Sequence, residues 1–199
     1  QEALSDFAEC HNVNLVAGSI TVRDGEHRAN RSFIYDREGE LLGTYDKAHL
    51  FPVGEEKNFF KPGDHNLFFT LDKVDCSIVT CFELRMPEWV RLAVSGRAKI
   101  LFVPAAWGLS RVPHFHLFAK ARAVENQCFV VAVNCTKMGD YHAMGGGGSC
   151  IYGPGGEEIL MTGTEETVQT IDLDLERIEE EKAFFDLYKE RRPDLYRAL

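Results

Sequence analysis

Two apolar runs with one long helical segment between them constrain this chain more than any other feature. Residues 99–103, Lys-Ile-Leu-Phe-Val, read as an apolar strand. Residues 112–127 read as a helix, and residues 128–134, Cys-Phe-Val-Val-Ala-Val-Asn, as a second buried strand. Strands without alternating polar positions have no face to give to water, so they predict a sheet that other layers cover. Strands outnumber helices over the remaining sequence. A helix is predicted over 1–12, where Ala3, Leu4, Phe7 and Ala8 fall at helical spacing. Strands are predicted over 14–22 and 31–35. The turn Asp36-Arg37-Glu38-Gly39 then leads into residues 40–50 to complete a hairpin. Residues 51–64 form a loop, 67–71 and 76–80 short strands, and 87–95 a helix with Pro87 at its start and Gly96 just past its end. Further strands are expected over 149–152, 158–162 and 167–173. Asp174 is expected to cap a last helix reaching about Tyr188, before Pro193. Helices and strands alternate only in the middle, which predicts sheets covered by helices in a layered mixed α/β fold. No repeat or linker interrupts the sequence, so residues 1–199 read as one domain.

Composition removes several function classes. Hydrophobic residues make up 45% and charged residues 27% of the 199, which excludes wholesale disorder and a coiled coil. Thirty-one acids against 22 bases give a net charge of −9. Without a Lys/Arg cluster, that balance argues against nucleic acid or an anionic membrane as partner. No apolar run is long enough to span a bilayer. The six cysteines include no C-x-x-C pair, and Cys76 and Cys128 open apolar runs as core thiols do. A reduced, cytoplasmic setting is therefore expected. His114 and His116 lack a second pair at finger spacing, so no metal site is expected.

The chemistry concentrates around Cys81, in Ser77-Ile-Val-Thr-Cys81-Phe-Glu-Leu-Arg-Met-Pro87-Glu88. A strand ends, a cysteine follows, and a helix begins a few residues later. Such a side chain faces the crevice at the carboxyl ends of the strands. The nearby helix N-terminus favours thiolate over thiol, and the Phe82 N–H is available to an oxyanion. The plainer reading is a sixth core cysteine. Lys47, in Tyr45-Asp46-Lys47-Ala48-His49-Leu50-Phe51-Pro52, is either a snorkelling edge residue or a deliberately placed cation. Glu55 and Glu56 follow it. Arg85 either meets a substrate carboxylate or pairs with Glu88 to brace the turn. Trp107 either lines the pocket or packs in the core. Arg122 and Glu125 are expected to pair on their helix. Residues 145–148, all glycine, lack the Lys-Ser/Thr of a phosphate loop and are expected to form a mobile loop, open to a lid role.

These residues resemble the nitrilase superfamily, the carbon–nitrogen hydrolases. Tyr45-Asp-Lys47-Ala-His-Leu-Phe-Pro looks like its lysine motif and Thr80-Cys81-Phe-Glu-Leu-Arg85-Met-Pro87-Glu88 like its nucleophile motif. Val103-Pro-Ala-Ala-Trp107, Ala121-Arg122-Ala-Val-Glu125-Asn-Gln127 and Arg192-Pro-Asp-Leu-Tyr196 follow in the family's order. The resemblance implies an αββα four-layer sandwich and a Glu–Lys–Cys triad. In it Cys81 forms a covalent thioester, Lys47 stabilises the tetrahedral intermediate, and Glu56 orients the lysine and substrate. Beside the triad, and apart from the resemblance, Phe82, Trp107 and Arg85 are the candidate substrate-binding residues. The family's general-base glutamate lies upstream of the helix that opens this chain and matches no residue here. The expectation is therefore a domain lacking its N-terminal strand and helix, or else a member without a base. No metal or organic cofactor is implied. Phe82 after the cysteine resembles the amidase branches, so the substrate is expected to be a small amide, such as an ω-amide of a dicarboxylic acid. Carbamoyl-amide and nitrile hydrolysis, and a non-catalytic binding or assembly subunit, stay open. A homodimer or larger homo-oligomer is expected.

Overall fold

The computed structural model describes residues 1–53, 56–136 and 145–196, apart from the side chain of Asp24. After helix α1 (Glu2–His11) come β1 (Leu15–Asp24), β2 (His27–Tyr35) and β3 (Leu41–Asp46), an antiparallel sheet in chain order. The predicted hairpin is β2–β3. The Asp36 carboxylate closes it by accepting the N–H groups of Glu38 at 3.1 Å and Glu40 at 2.8 Å. The second sheet has six strands, again in chain order: β4 (Phe68–Leu71), β5 (Val74–Ile78), β6 (Ile100–Ala105), β7 (Phe129–Asn134), β8 (Cys150–Tyr152) and β9 (Glu158–Met161). β5, β6 and β7 run parallel, and the outer pairs are antiparallel. Helices α3 (Pro87–Val94) and α4 (Val112–Asn126) make the two parallel crossovers.

The apolar character of residues 99–103 has a direct cause. Leu101 and Val103 face one core, with Val90, Val94, Phe115 and Ala119 of the helices. Ile100 and Phe102 face another, with Ile34 and Tyr45 of the small sheet. Burying each such side chain stabilises the fold by roughly 1.5–3 kcal/mol. On the far side of the small sheet, Ala8 and Leu4 of α1 pack on Phe33 and Tyr35. The layers therefore run helix, sheet, sheet, helix, which is the αββα sandwich the motifs implied.

Two expected elements differ. Residues 167–173 join no ladder among the described residues, and Val168 is 93% exposed. β-branched residues such as Thr167, Val168, Thr170 and Ile171 favour extended backbone, but only a neighbouring strand makes a segment part of a sheet. The last long helix, α5 (Glu176–Phe184), stops short of Tyr188. Its continuation is captured by Gln127, whose side-chain amide donates to the Phe185 carbonyl at 2.9 Å and accepts the Leu187 N–H at 3.0 Å. That tertiary pairing holds Phe185 extended, at φ −160°. Among the described residues, no helix is long and apolar enough to cross a membrane.

Candidate active site

Three strand ends meet at the site. Lys47 follows β3, Cys81 lies just beyond β5, and Ala106 and Trp107 follow β6. Cys81 opens a tight 3-10 turn, Cys81–Arg85, that runs into α3. It sits at φ 52°, a left-handed conformation that costs a non-glycine residue about 1–2 kcal/mol. The strained backbone turns the side chain out of the strand, and the residue is partly buried against the helix-side core. The N–H groups of Ala106 and Phe82 point at the sulfur and favour thiolate, as does the Lys47 cation. Burial nevertheless outweighs them, and the thiol is pushed above its ordinary range. The direction is the opposite of the one expected from the helix N-terminus. Cys76, Cys128 and Cys150 are buried thiols pushed up to about 12. Cys81 differs from them in having two backbone donors directed at it.

Lys47 is no edge residue. It is 2% exposed, and Glu56 grips its ammonium with both carboxylate oxygens, each at 2.8 Å. Glu56 stands in a single helical turn, α2 (Glu56–Phe59), inside the stretch read as loop. Two further donors hold it, Asn30 Nδ2 at 3.2 Å and the Phe51 N–H. Glu55 lies outside the described residues. The loop is fastened to the strand beside it, since the Gly63 N–H donates to the Lys47 carbonyl at 3.0 Å. A Cβ on Gly63 would stand 2.2 Å from the Asp46 carbonyl oxygen, so only glycine allows this approach. Gly63→Ala should therefore cost roughly 1–3 kcal/mol and lower activity by displacing Lys47. Thermal unfolding together with kcat checks this, and an unchanged melting temperature would contradict it.

Arg85 departs from its expected ion pair. Glu88 is exposed, and the guanidinium instead lies over two neighbouring rings, 4.6 Å from the centroid of Trp107 and 4.9 Å from that of Phe118. His114 Nδ1 is 3.4 Å from Arg85 Nη2. Burial, then the nearby Arg111, lowers the guanidinium's pKa, while the Cys81 sulfur acts in the opposite sense. Among the described residues no carboxylate pairs with Arg85. Trp107 packs on Phe115 and Phe118, and its indole N–H has no partner among the described residues. Its backbone is held by Asn134, which accepts the Trp107 N–H at 2.6 Å and donates to its carbonyl at 3.1 Å. Phe82 meets Phe51 edge-on at 5.4 Å. Arg122 and Glu125 pair at 3.0 Å as expected, and Arg122 Nε also donates to the Leu84 carbonyl, supporting the Cys81 turn from behind.

Residues 145–148 are not a free loop. The N–H groups of Gly146, Gly147 and Gly148 donate to Trp107, Cys135 and Gly163, and a Cβ on Gly146 would come within 2.7 Å of the Trp107 carbonyl. The preceding residues 137–144 lie outside the described residues. His116 accordingly supports backbone, its Nε2 2.7 Å from the Gly148 carbonyl.

Sequence reasoning missed Asn30, Asn134 and Glu83. Glu83 is fully buried and joins the lysine and cysteine segments by four hydrogen bonds. A signal for it was present: a lone acid between Phe82 and Leu84, where a strand leaves the core.

Fold and site together define an αββα sandwich with a cysteine at a strand end beside a buried lysine–glutamate pair. The chain belongs to the carbon–nitrogen hydrolase family, whose sequence pattern matches residues 1–183. It is similar to the 2-oxoglutaramate amidase of Bacillus subtilis (strain 168), with 36% identity over 98% of this chain and 75% of that protein. The fold is similar to Saccharomyces cerevisiae Nit3, a member of branch 10 of the nitrilase superfamily. That match has a TM-score of 0.88 and 28% identity over 96% of this chain and 70% of that one. It is also similar to an amidase of Nesterenkonia sp. AN1, solved with the acetamide moiety of fluoroacetamide added covalently at its active-site cysteine. There the TM-score is 0.85, with 28% identity over 98% of this chain and 71% of that one.

Proposed function

We propose that this protein hydrolyses the amide of a small ω-monoamide of a dicarboxylic acid, through a thioester on Cys81 and with release of ammonia. The observation that carries the reading is the set of groups acting on one sulfur: the N–H groups of Phe82 and Ala106 directed at it, and the Lys47 cation near enough to favour its charged form. A base takes the Sγ proton and the sulfur forms a bond to the amide carbon. The carbonyl electrons move to oxygen, where Lys47 and the Phe82 N–H stabilise the charge. The C–N bond then breaks, ammonia leaves carrying the returned proton, and water hydrolyses the thioester. Glu56 keeps the ammonium aimed. The base is assigned to no residue of this sequence. The amidase names of the similar proteins support this chemistry.

Arg85 supports the choice of an acidic amide. A guanidinium near Cys81, resting on two rings and without a carboxylate partner among the described residues, suits the free carboxylate of a bound ω-monoamide, with Trp107 as the wall behind it. Arg85→Met should raise KM for ω-monoamides roughly tenfold to a hundredfold, the worth of a charged hydrogen bond, and leave neutral amides nearly unaffected. The same KM change for both substrate types would remove Arg85 from recognition. The reading as a whole is tested by ammonia release from amides, carbamoyl compounds and nitriles with full-length protein. If none is turned over and Cys81 alkylates no faster than Cys128, it fails. Residues 1–199 are proposed as one carbon–nitrogen hydrolase domain. A cytoplasmic setting, which the six free thiols suit, and self-association as a homodimer or larger oligomer complete the proposal.

A further inference from the structure

Glu83 has surroundings that an ordinary buried acid does not need. Its Oε2 accepts the Tyr45 hydroxyl at 2.6 Å and the Thr80 N–H at 2.7 Å. Its Oε1 accepts the N–H groups of Ala48 at 2.8 Å and His49 at 3.0 Å. The Trp89 indole N–H donates to Tyr45 Oη at 3.0 Å and fixes that hydroxyl in turn. Buried carboxylates are usually matched by a cation. Among the described residues the sole candidate is His49, whose Nδ1 is 3.5 Å away. The carboxylate is therefore directed almost wholly at backbone.

The identity of that backbone matters. Ala48 is the residue after Lys47, and Thr80 is the residue before Cys81. Lys47 leaves the three-stranded sheet and Cys81 leaves the six-stranded sheet, so no ladder sets the distance between them. One carboxylate takes hold of both exits. We infer that Glu83 is a positioning residue: by holding the Ala48–His49 amides and the Thr80 amide on one carboxylate, it keeps the Lys47 ammonium in register with the Cys81 sulfur. This rests on the roles proposed above for Cys81 and Lys47.

Glu83→Gln tests it at nearly constant size. Both oxygens of a carboxylate accept, whereas an amide replaces one acceptor with a donor. Whichever way the amide turns, an N–H then faces an N–H, at Thr80 or at Ala48 and His49, and one exit is released. The groups facing Cys81 are Lys47, Glu56, Arg85 and the amides of Ala106 and Phe82. Lys47 outweighs Glu56 among them, so losing register disfavours the thiolate.

In the full-length protein, Glu83→Gln should lower kcat by about thirtyfold to a hundredfold with KM within about twofold. The pH profile for iodoacetamide alkylation of Cys81 should move to higher pH. Glu83→Asp, which keeps both acceptors on a shorter stem, should recover part of both. Tyr45→Phe removes one donor and no amide grip, and should give a smaller shift in the same direction. A folded Glu83→Gln whose alkylation profile superimposes on the wild type overturns the inference. If Glu83→Gln does not fold, an unmoved profile in Tyr45→Phe overturns it instead. Alkylation can be read on a protein that turns nothing over. Failure of the proposed activity, seen as no ammonia from the wild type, is thus distinct from failure of this inference.

Discussion

Turnover of an amide substrate should fall below detection in Cys81→Ala, a loss on the order of 10⁴-fold or more, while the fold persists. The sulfur is the atom at which the proposed mechanism forms its covalent bond, and none of the three core cysteines can substitute. Cys76, Cys128 and Cys150 are core thiols pushed up to about 12 by burial. Stability should change little, because Cys81 only borders the core and alanine keeps most of that contact. A second variant separates strain from chemistry. At φ 52°, Cys81→Gly removes the left-handed penalty and should unfold at or above the temperature of Cys81→Ala, although both lack the nucleophile. In the wild type, iodoacetamide should react at Cys81 with a rate that climbs with pH past the usual thiol range, because burial holds the thiol protonated. Ammonia release and mass spectrometry of the alkylated protein provide the measurements. Residual kcat within tenfold of wild type in Cys81→Ala would take this residue out of the chemistry.

How much of this was legible beforehand depends on the range of the forces involved. The central sheet could be read because β6 and β7 carry apolar residues on faces that two different layers cover, and such burial leaves its mark residue by residue. The Cys81 turn was legible for a local reason: a strand, a cysteine and a proline-led helix follow one another within a few residues. Segment 167–173 is no strand because residues that favour extended backbone report conformation and not the presence of a neighbour. The direction of the thiol was misread because a helix N-terminus is visible in sequence, whereas desolvation is set by what packs over the sulfur. Arg85 and Glu88, three residues apart, invited an ion pair, but stacking on Trp107 and Phe118 draws the guanidinium inward. Glu83 joins segments that only the packing of the two sheets brings together, and no spacing rule reports that.

Lys47→Met is expected to lower kcat by on the order of a hundredfold or more, the effect of removing a principal oxyanion donor. Lys47 also has a structural load. The ammonium is buried and held at 2.8 Å by both oxygens of Glu56. Removing it leaves that carboxylate, in a side chain only 18% exposed, with the Asn30 and Phe51 donors among the described residues. Breaking such a pair destabilises a protein by up to roughly 3 kcal/mol. Lost activity could then reflect a smaller folded fraction. The double variant Lys47→Met with Glu56→Gln resolves this. It restores charge balance, since a neutral amide needs no cation, so most of the lost stability should return. Activity should not return, because no positive charge then faces the carbonyl oxygen. Denaturant unfolding and kcat, measured on wild type, both single variants and the double variant, close the cycle. If the double variant recovers activity along with stability, Lys47 acts only by holding the loop in place, and oxyanion stabilisation falls to the Phe82 amide.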